Sequence, residues 1–390
     1  ETPFFFIYSV WTKNGEYREQ VKRLVTDYDN YISLKLAGDD AYLSEKMVGY
    51  PAELDEVYAE SFEEQKKEWF SCVGDGIQEC RNTWEHKKWN ITDFPEFELA
   101  ITIDRPELYY DFLQKDWTRF CHDYWKNNFL EHHTLSQKRV TRIYIGNQFC
   151  HNLFPRKELL FQVLEKALEN NLAVTLAFSY IRNHLLEEID ELLQELEVWC
   201  QSREKEAGKD QEEIIVNDWA MPILLQGKPH LKPVLGVLLN KRRKDVRLPY
   251  KQGIGNHVDS LAENNLNCGF YQDYLKNTFD IQRFEFESCG YKVTIPDGHH
   301  SLHLPFFQTN TSQYCTLYAV CRYGDRGKQK LTENCPRYCN KKVFLYPKHL
   351  KMVGRYNSLF GYDEKILWDE KQLQDYLEQG IERIVVNVSL

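Results

Sequence analysis

Arg142-Ile143-Tyr144-Ile145-Gly146-Asn147-Gln148-Phe149-Cys150 decides how this chain is read: a short apolar run ends at a glycine, turns, and delivers a thiol. Beyond it, Leu159, Leu160, Val163, Leu164, Ala167 and Leu168 recur at helical spacing, Asn171 stops the helix, and residues 172–178 form the next strand-like run. A long helical stretch over 185–200 follows, and further apolar runs stand at 214–217, 234–239, 279–286, 302–307, 343–346 and 384–388. Strands that alternate with helices imply right-handed βαβ units and a parallel sheet. Eight such runs in about 250 residues is the size of a (β/α)8 barrel. The expected fold is therefore α/β, a TIM-like barrel over 140–390 preceded by a smaller α/β region over 1–139. An open doubly wound sheet is the alternative that periodicity alone leaves standing.

Working outward from the barrel, residues 1–139 mix strand-like runs at 4–10, 31–36 and 97–103 with a charged helical stretch at 53–70, and the polar segment 127–138 reads as the join. The 390 residues are 42% hydrophobic and 14% aromatic, ample for a large core, and the net charge of −10 argues against a generally basic nucleic-acid surface. The patch Lys241-Arg242-Arg243-Lys244 reads as a solvated loop. No apolar run is long enough to cross a bilayer, and the run at 4–8 lacks the basic leader of a signal peptide. Eleven cysteines without such a signal point to a reducing, cytoplasmic setting, where clustered thiols are metal ligands more often than disulfides.

The strongest chemical signal is Cys315-x5-Cys321-x13-Cys335-x3-Cys339, an insertion over 313–340 opened by the polar turn Thr309-Asn310-Thr311-Ser312. Lone cysteines are commonly small buried hydrophobes, a reading that suits Cys72, Cys80, Cys121, Cys200, Cys268 and Cys289. Four in 25 positions suggest metal ligation. Zinc would favour a closed tetrahedron built on close pairs, and only Cys335 and Cys339 make one; unevenly spaced thiolates suit an iron–sulfur unit, with zinc as the alternative. Cys150 is a fifth candidate, because the C-terminal ends of all barrel strands meet on one face. Cys150 and Cys321 thus compete for the fourth position beside Cys315, Cys335 and Cys339.

These motifs resemble the collagenase-like peptidase family U-32. Tyr144-Ile145-Gly146-Asn147-Gln148-Phe149-Cys150 is similar to the family's Y-x-G-E-x-x-C opening, and most similar to its oxygen-independent hydroxylase branch in ubiquinone synthesis. Val216-Asn217-Asp218, Leu238-Leu239-Asn240, Leu304-Pro305, Cys315 and the Cys335-x3-Cys339 pair follow in the family's order, and Tyr323-Gly324-Asp325-Arg326-Gly327 resembles a motif of its RNA-modifying relatives. The resemblance covers about 140–360. It implies a barrel that binds a 4Fe-4S cluster through four cysteines, hydroxylation without molecular oxygen of a quinone precursor or of RNA bases, and a heterodimer with a second family member or another modifying-enzyme partner. Asn147 stands where the family commonly has Glu, and residues 1–139 have no counterpart, both of which argue for a different substrate.

Other chemistry finds no foothold. The chain has no His-Glu-x-x-His helix and no Gly-x-Ser-x-Gly elbow, and Gly324-Asp325-Arg326-Gly327-Lys328 has the wrong spacing to cradle phosphates. Polar residues at strand ends are candidate pocket residues: Asn217, Asp218, Asn240, Arg283 and Glu285. Arg283 and Glu285 share a strand face, so they bind a polar or carboxylate-bearing substrate in the lumen or form an internal salt bridge; Asp218 equally suits a helix cap. His299 and His300 read as a surface turn, whereas His303, between Leu302 and Leu304, points into the barrel. The expected activity is an iron–sulfur-dependent reaction on a small aromatic, a peptide or, least favoured by the acidic surface, a nucleobase; the alternative is a metal-stapled scaffold subunit whose partner carries the chemistry.

Overall fold

The computed structural model describes residues 11–23 and most of 94–387. The strand-like runs at 4–10 and 31–36, the helical stretch at 53–70, Cys72, Cys80, Arg243 and Asp325-Arg326-Gly327 lie outside the described residues.

Eight parallel strands curl into a nearly closed barrel: β1 (Glu98–Ile103), β2 (Arg142–Gly146), β3 (Ala173–Ala177), β4 (Glu212–Val216), β5 (Leu231–Leu235), β6 (Glu285–Glu287), β7 (His300–Leu304) and β12 (Ile381–Val386). Each pairs with its neighbour in chain order, β12 returns to β1, and a single bridge between Leu235 and Phe284 joins the two edges. Between β7 and β12 the chain builds a second, antiparallel sheet from β8 (Phe306–Thr311), β9 (Phe344–Leu345), β10 (Met352–Arg355) and β11 (Ser358–Tyr362). The expected eight strands are thus present with one exchange of membership. The run at 343–346 belongs to the second sheet, and the run at 97–103 is β1 of the barrel, flanked by β2 and β12. The boundary expected at 139/140 consequently falls inside the barrel.

The β1 sequence shows why it belongs there. Leu99, Ile101 and Ile103 are fully buried on one face, against α1 (Pro106–Gln114) and α3 (Lys157–Glu169), while Ala100 and Thr102 face the lumen. A strand buried on both faces needs apolar or small residues at every position, which ELAITI supplies after its first residue. The α3 helix buries Leu160, Val163, Leu164 and Ala167, close to the expected face, and Asn171 ends it with φ +56°, a conformation Asn tolerates. Ala100, Tyr144, Ala177, Ile215, Val234 and Val385, one from each of six strands, form a separate apolar layer inside the barrel. Gly146 closes β2 at φ +109°, where a Cβ would stand 2.5 Å from the Ala177 carbonyl oxygen, so the turn toward Cys150 requires glycine.

Candidate functional site

Alternation along the strands stacks the lumen into layers, and the lowest is a closed ionic plug. Arg383 donates bidentately to Glu213 at 2.6 and 3.0 Å and to Glu98 at 2.6 Å, while Arg142 donates to Glu98 at 2.9 Å. Burial alone would raise the Glu213 carboxyl, but the Arg142 and Arg383 charges overcome it and hold it at about 2. Arg283 joins this layer, 3.7 Å from Glu213 and 3.8 Å from Glu382. It does share the inward face with Glu285, as expected, but it is part of an internal salt bridge rather than a substrate clamp.

Above the plug lies a cavity at the C-terminal mouth, about 490 Å³ including its open end. Tyr144, Glu287 and His303 reach it from the strands, and Asp104 and Asn387 from the strand ends. The second sheet forms its lid: Tyr356 and Phe360 line it, and Phe360 packs edge-on against Phe149 with ring centroids 4.8 Å apart. The position of His303 agrees with its expected inward orientation. His300 departs from the surface turn expected of it: it is fully buried and stacked 4.8 Å from Phe284, with Nδ1 accepting from the Phe284 amide.

The five candidate pocket residues are engaged elsewhere. Asn217 donates to the Phe178 carbonyl at 2.7 Å and accepts from Leu238 N at 3.1 Å, tying three strand ends together. Asp218 accepts from the Ala220 and Met221 amides and from Ile181 N, the helix-cap role that its position also suited. Asn240 donates to the Glu285 carbonyl at 3.1 Å and, like Glu285, is not among the residues lining the cavity. Backbone groups at strand ends need partners once water is excluded. That demand, rather than a ligand, holds Asn217, Asp218 and Asn240.

The cysteines converge. Cys150, Cys315, Cys335 and Cys339 line one cavity, with His151, Arg182, Tyr338 and Tyr356 among the other walls. Cys321 is not part of it; it sits on α7 (Thr316–Tyr323), half-buried against the core. Each thiol reaches the cavity from a local structure. Asn147 Oδ1 accepts from the amides of Phe149 and Cys150, both at 2.9 Å, so the residue at the family's Glu position shapes the turn that presents Cys150. Cys315 caps α7: its Sγ accepts from Tyr318 N at 3.3 Å and lies 3.0 Å from the Tyr356 carbonyl. A helix N-terminus favours negative charge on that sulfur.

Burial opposes the thiolate form at Cys150, Cys315 and Cys339. It pushes Cys150 far above the ordinary thiol range, with added repulsion from Cys339, Cys315 and Cys335. Cys315 is pushed up to about 12, again chiefly by burial. Cys339 rises to about 11, since burial outweighs the pull of the buried Arg355 guanidinium. Three such thiols ionise together only if positive charge enters among them. The donor set offers the chemistry an iron–sulfur group would call on: all-sulfur side chains, a shared cavity, and cationic side chains, Arg182 and Arg355, at its edge. As they stand, no three His, Cys, Asp or Glu side chains among the described residues form a group that could hold a metal ion.

Tyr356 lines both cavities, so the thiols and the lumen mouth are adjoining compartments on the C-terminal face of the barrel, where enzymes of this architecture place their sites. Sequence reasoning missed Tyr144, Glu287, Asp104, Asn387 and the Tyr356–Phe360 lid. Strand alternation from Arg142 and Glu285 would have found Tyr144 and Glu287; nothing local marks Tyr356. No helix among the described residues is long and apolar enough to cross a membrane. Comparison of the chain with family models, with curated proteins and with solved structures found no match.

Proposed function

We propose that this protein is an iron–sulfur enzyme whose 4Fe-4S cluster is held by Cys150, Cys315, Cys335 and Cys339, and that it acts on a small molecule in the adjoining lumen cavity in the manner of the oxygen-independent hydroxylases its motifs resemble. One observation carries this reading: thiols from segments 165 residues apart, at 150 and 315, share a single cavity beside a second one at the lumen mouth. Chance placement of buried cysteines gives no reason for that convergence, or for the exclusion of Cys321. When bound, the cluster would supply electron transfer or an open iron site for an oxygen-donating group.

The chain's own residues have definable parts. Asn147 and the Gly146 turn orient Cys150, the α7 N-terminus and Arg355 favour thiolate at Cys315 and Cys339, and Tyr356 separates the cluster space from the substrate space. A mononuclear zinc site needs four sulfurs about 2.3 Å from one point. A cubane spreads its ligated irons apart and tolerates thiols that surround a cavity without closing on its centre. Protein purified without oxygen should contain about four irons and four sulfides per chain; stoichiometric zinc with no iron would defeat the assignment.

A second reading, a metal staple in a scaffold subunit, is favoured by the origin of three ligands in the single 313–340 insertion, which the metal would tie to Cys150. Cys339→Ser separates the two. A staple predicts lost stability of the metal-loaded protein in proportion to lost metal and no substrate turnover by the chain alone.

A further inference from the structure

The lumen cavity contains a titratable side chain that the cluster reading does not use. His303 stands edge-on to Tyr144, ring centroids 5.4 Å apart, with its Nε2 2.5 Å from Glu285 Oε2. Glu285 is fully buried and accepts a second bond from the Tyr144 hydroxyl at 3.1 Å. Burial raises its carboxyl, yet the hydrogen bond from His303, with Arg383 behind, brings it below the usual range. Glu285 is therefore a carboxylate, and the nitrogen facing it carries the proton. Nδ1, the nitrogen turned away from Glu285, has no partner among the described residues, on a side chain that lines the cavity, and it is the atom that carries the lone pair of a neutral imidazole held this way. A histidine held by a carboxylate, with its other nitrogen open to a cavity, is a general base arrangement.

The geometry points to His303 as the proton acceptor for a neutral, hydrogen-bonding ring bound in the lumen mouth, with Glu285 as its positioning residue. In the step, an O–H or N–H bond of the ligand breaks as Nδ1–H forms. The ligand keeps the bonding electron pair, the imidazole becomes imidazolium, and Nε2 keeps its proton toward Glu285, whose carboxylate balances the new charge. The ligand class follows from the walls. Phe149, Tyr356 and Phe360 suit a flat ring. Among the described residues no lysine or arginine lines the cavity, and the carboxylates Asp104 and Glu287 do, the latter already paired with Lys244. A ligand carboxylate would thus meet no free cation and two acidic side chains. This inference rests on reading the mouth as the reaction site, and not on the identity of the metal.

The probes are 4-fluorophenol and 4-fluorobenzoate, followed by fluorine NMR against the full chain prepared without oxygen, with iron and sulfide assayed in the same sample. 4-Fluorophenol should bind at least tenfold more tightly than 4-fluorobenzoate, and its bound resonance should move toward the phenolate position. His303→Gln should weaken its binding at least tenfold. Glu285→Gln should retain binding and lose the phenolate shift, which a merely structural role would not predict. Equal binding of the two probes, no binding of 4-fluorophenol, or unchanged binding by folded His303→Gln overturns the inference. If His303→Gln does not fold, the wild-type comparison decides alone. Selective phenol binding by protein without iron would sink the cluster and keep the dyad; iron-replete protein that ignores the phenol would do the reverse.

Discussion

The two ends of the barrel lumen are both polar, and they differ in how their polar groups are satisfied. At the floor, Glu98, Arg142, Glu213 and Arg383 pair with one another through charge-assisted bonds as short as 2.6 Å. At the mouth, four thiols face a shared cavity and His303 keeps one nitrogen without a partner among the described residues. Buried charge is tolerated when it is paired, so these four side chains read as structure. Groups left incompletely satisfied on the face where barrels carry their sites read as chemistry. The comparison implies that the floor should matter for stability and the mouth for binding.

That contrast breaks most visibly at Arg383. Arg383→Met leaves the partly buried Glu98 and Glu213 without their shortest ion pairs, and should destabilise the protein by about 3 kcal/mol in chemical denaturation. Acid gives the next largest effect. The Glu213 carboxyl lies near 2 in the folded chain against an ordinary 4.5, so its contribution is fully present above pH 4.5 and is lost as pH falls toward 2. The shift corresponds to a loss on the order of 3 kcal/mol, and a denaturation midpoint that is flat across this window would contradict the plug. Tyr144→Phe, which removes one bond each from Glu285 and Arg383, should cost about 2 kcal/mol by the same measurement.

Two smaller effects sharpen the contrast from the other side. Asp218→Ala should cost about 1 kcal/mol as a lost cap and leave ligand binding unchanged, since Asp218 bonds only backbone amides. Cys150→Ser in metal-free protein should change stability by less than about 1 kcal/mol, while bound iron in anaerobically prepared protein falls to a small fraction of the wild-type value. Cys321→Ser should leave iron content at the wild-type level. Equal iron loss in the two variants would remove the basis for choosing Cys150.

The fold was readable wherever a single period governs a segment. The helix face of Leu160, Val163, Leu164 and Ala167 and the Asn171 stop follow from local spacing and local backbone preference, and so does the alternation that makes a barrel. The same local information cannot distinguish which apolar run joins which sheet. Residues 97–103 and 343–346 look alike in the chain, and only pairing with both β2 and β12 makes the former a barrel strand. Strand-end polar residues were misleading for a related reason: Asn217 and Asp218 stand where ligands bind, but backbone amides brought close by the fold occupy them first.

The amino-acid sequence by itself determined the parallel βαβ alternation, the shared strand face of Arg283 and Glu285, the inward orientation of His303, and the presence of too many clustered thiols for a simple core. Those follow from periods of two and of 3.6 and from residue chemistry, which act over a few positions. Tertiary structure alone decided that Cys150 rather than Cys321 joins the other three, that Arg283 belongs to a plug, and that Tyr356 stands between thiols and lumen. Those outcomes depend on closing a ring of strands and folding a second sheet over its mouth. Contacts made by closure link residues far apart in the chain, and no local pattern records them.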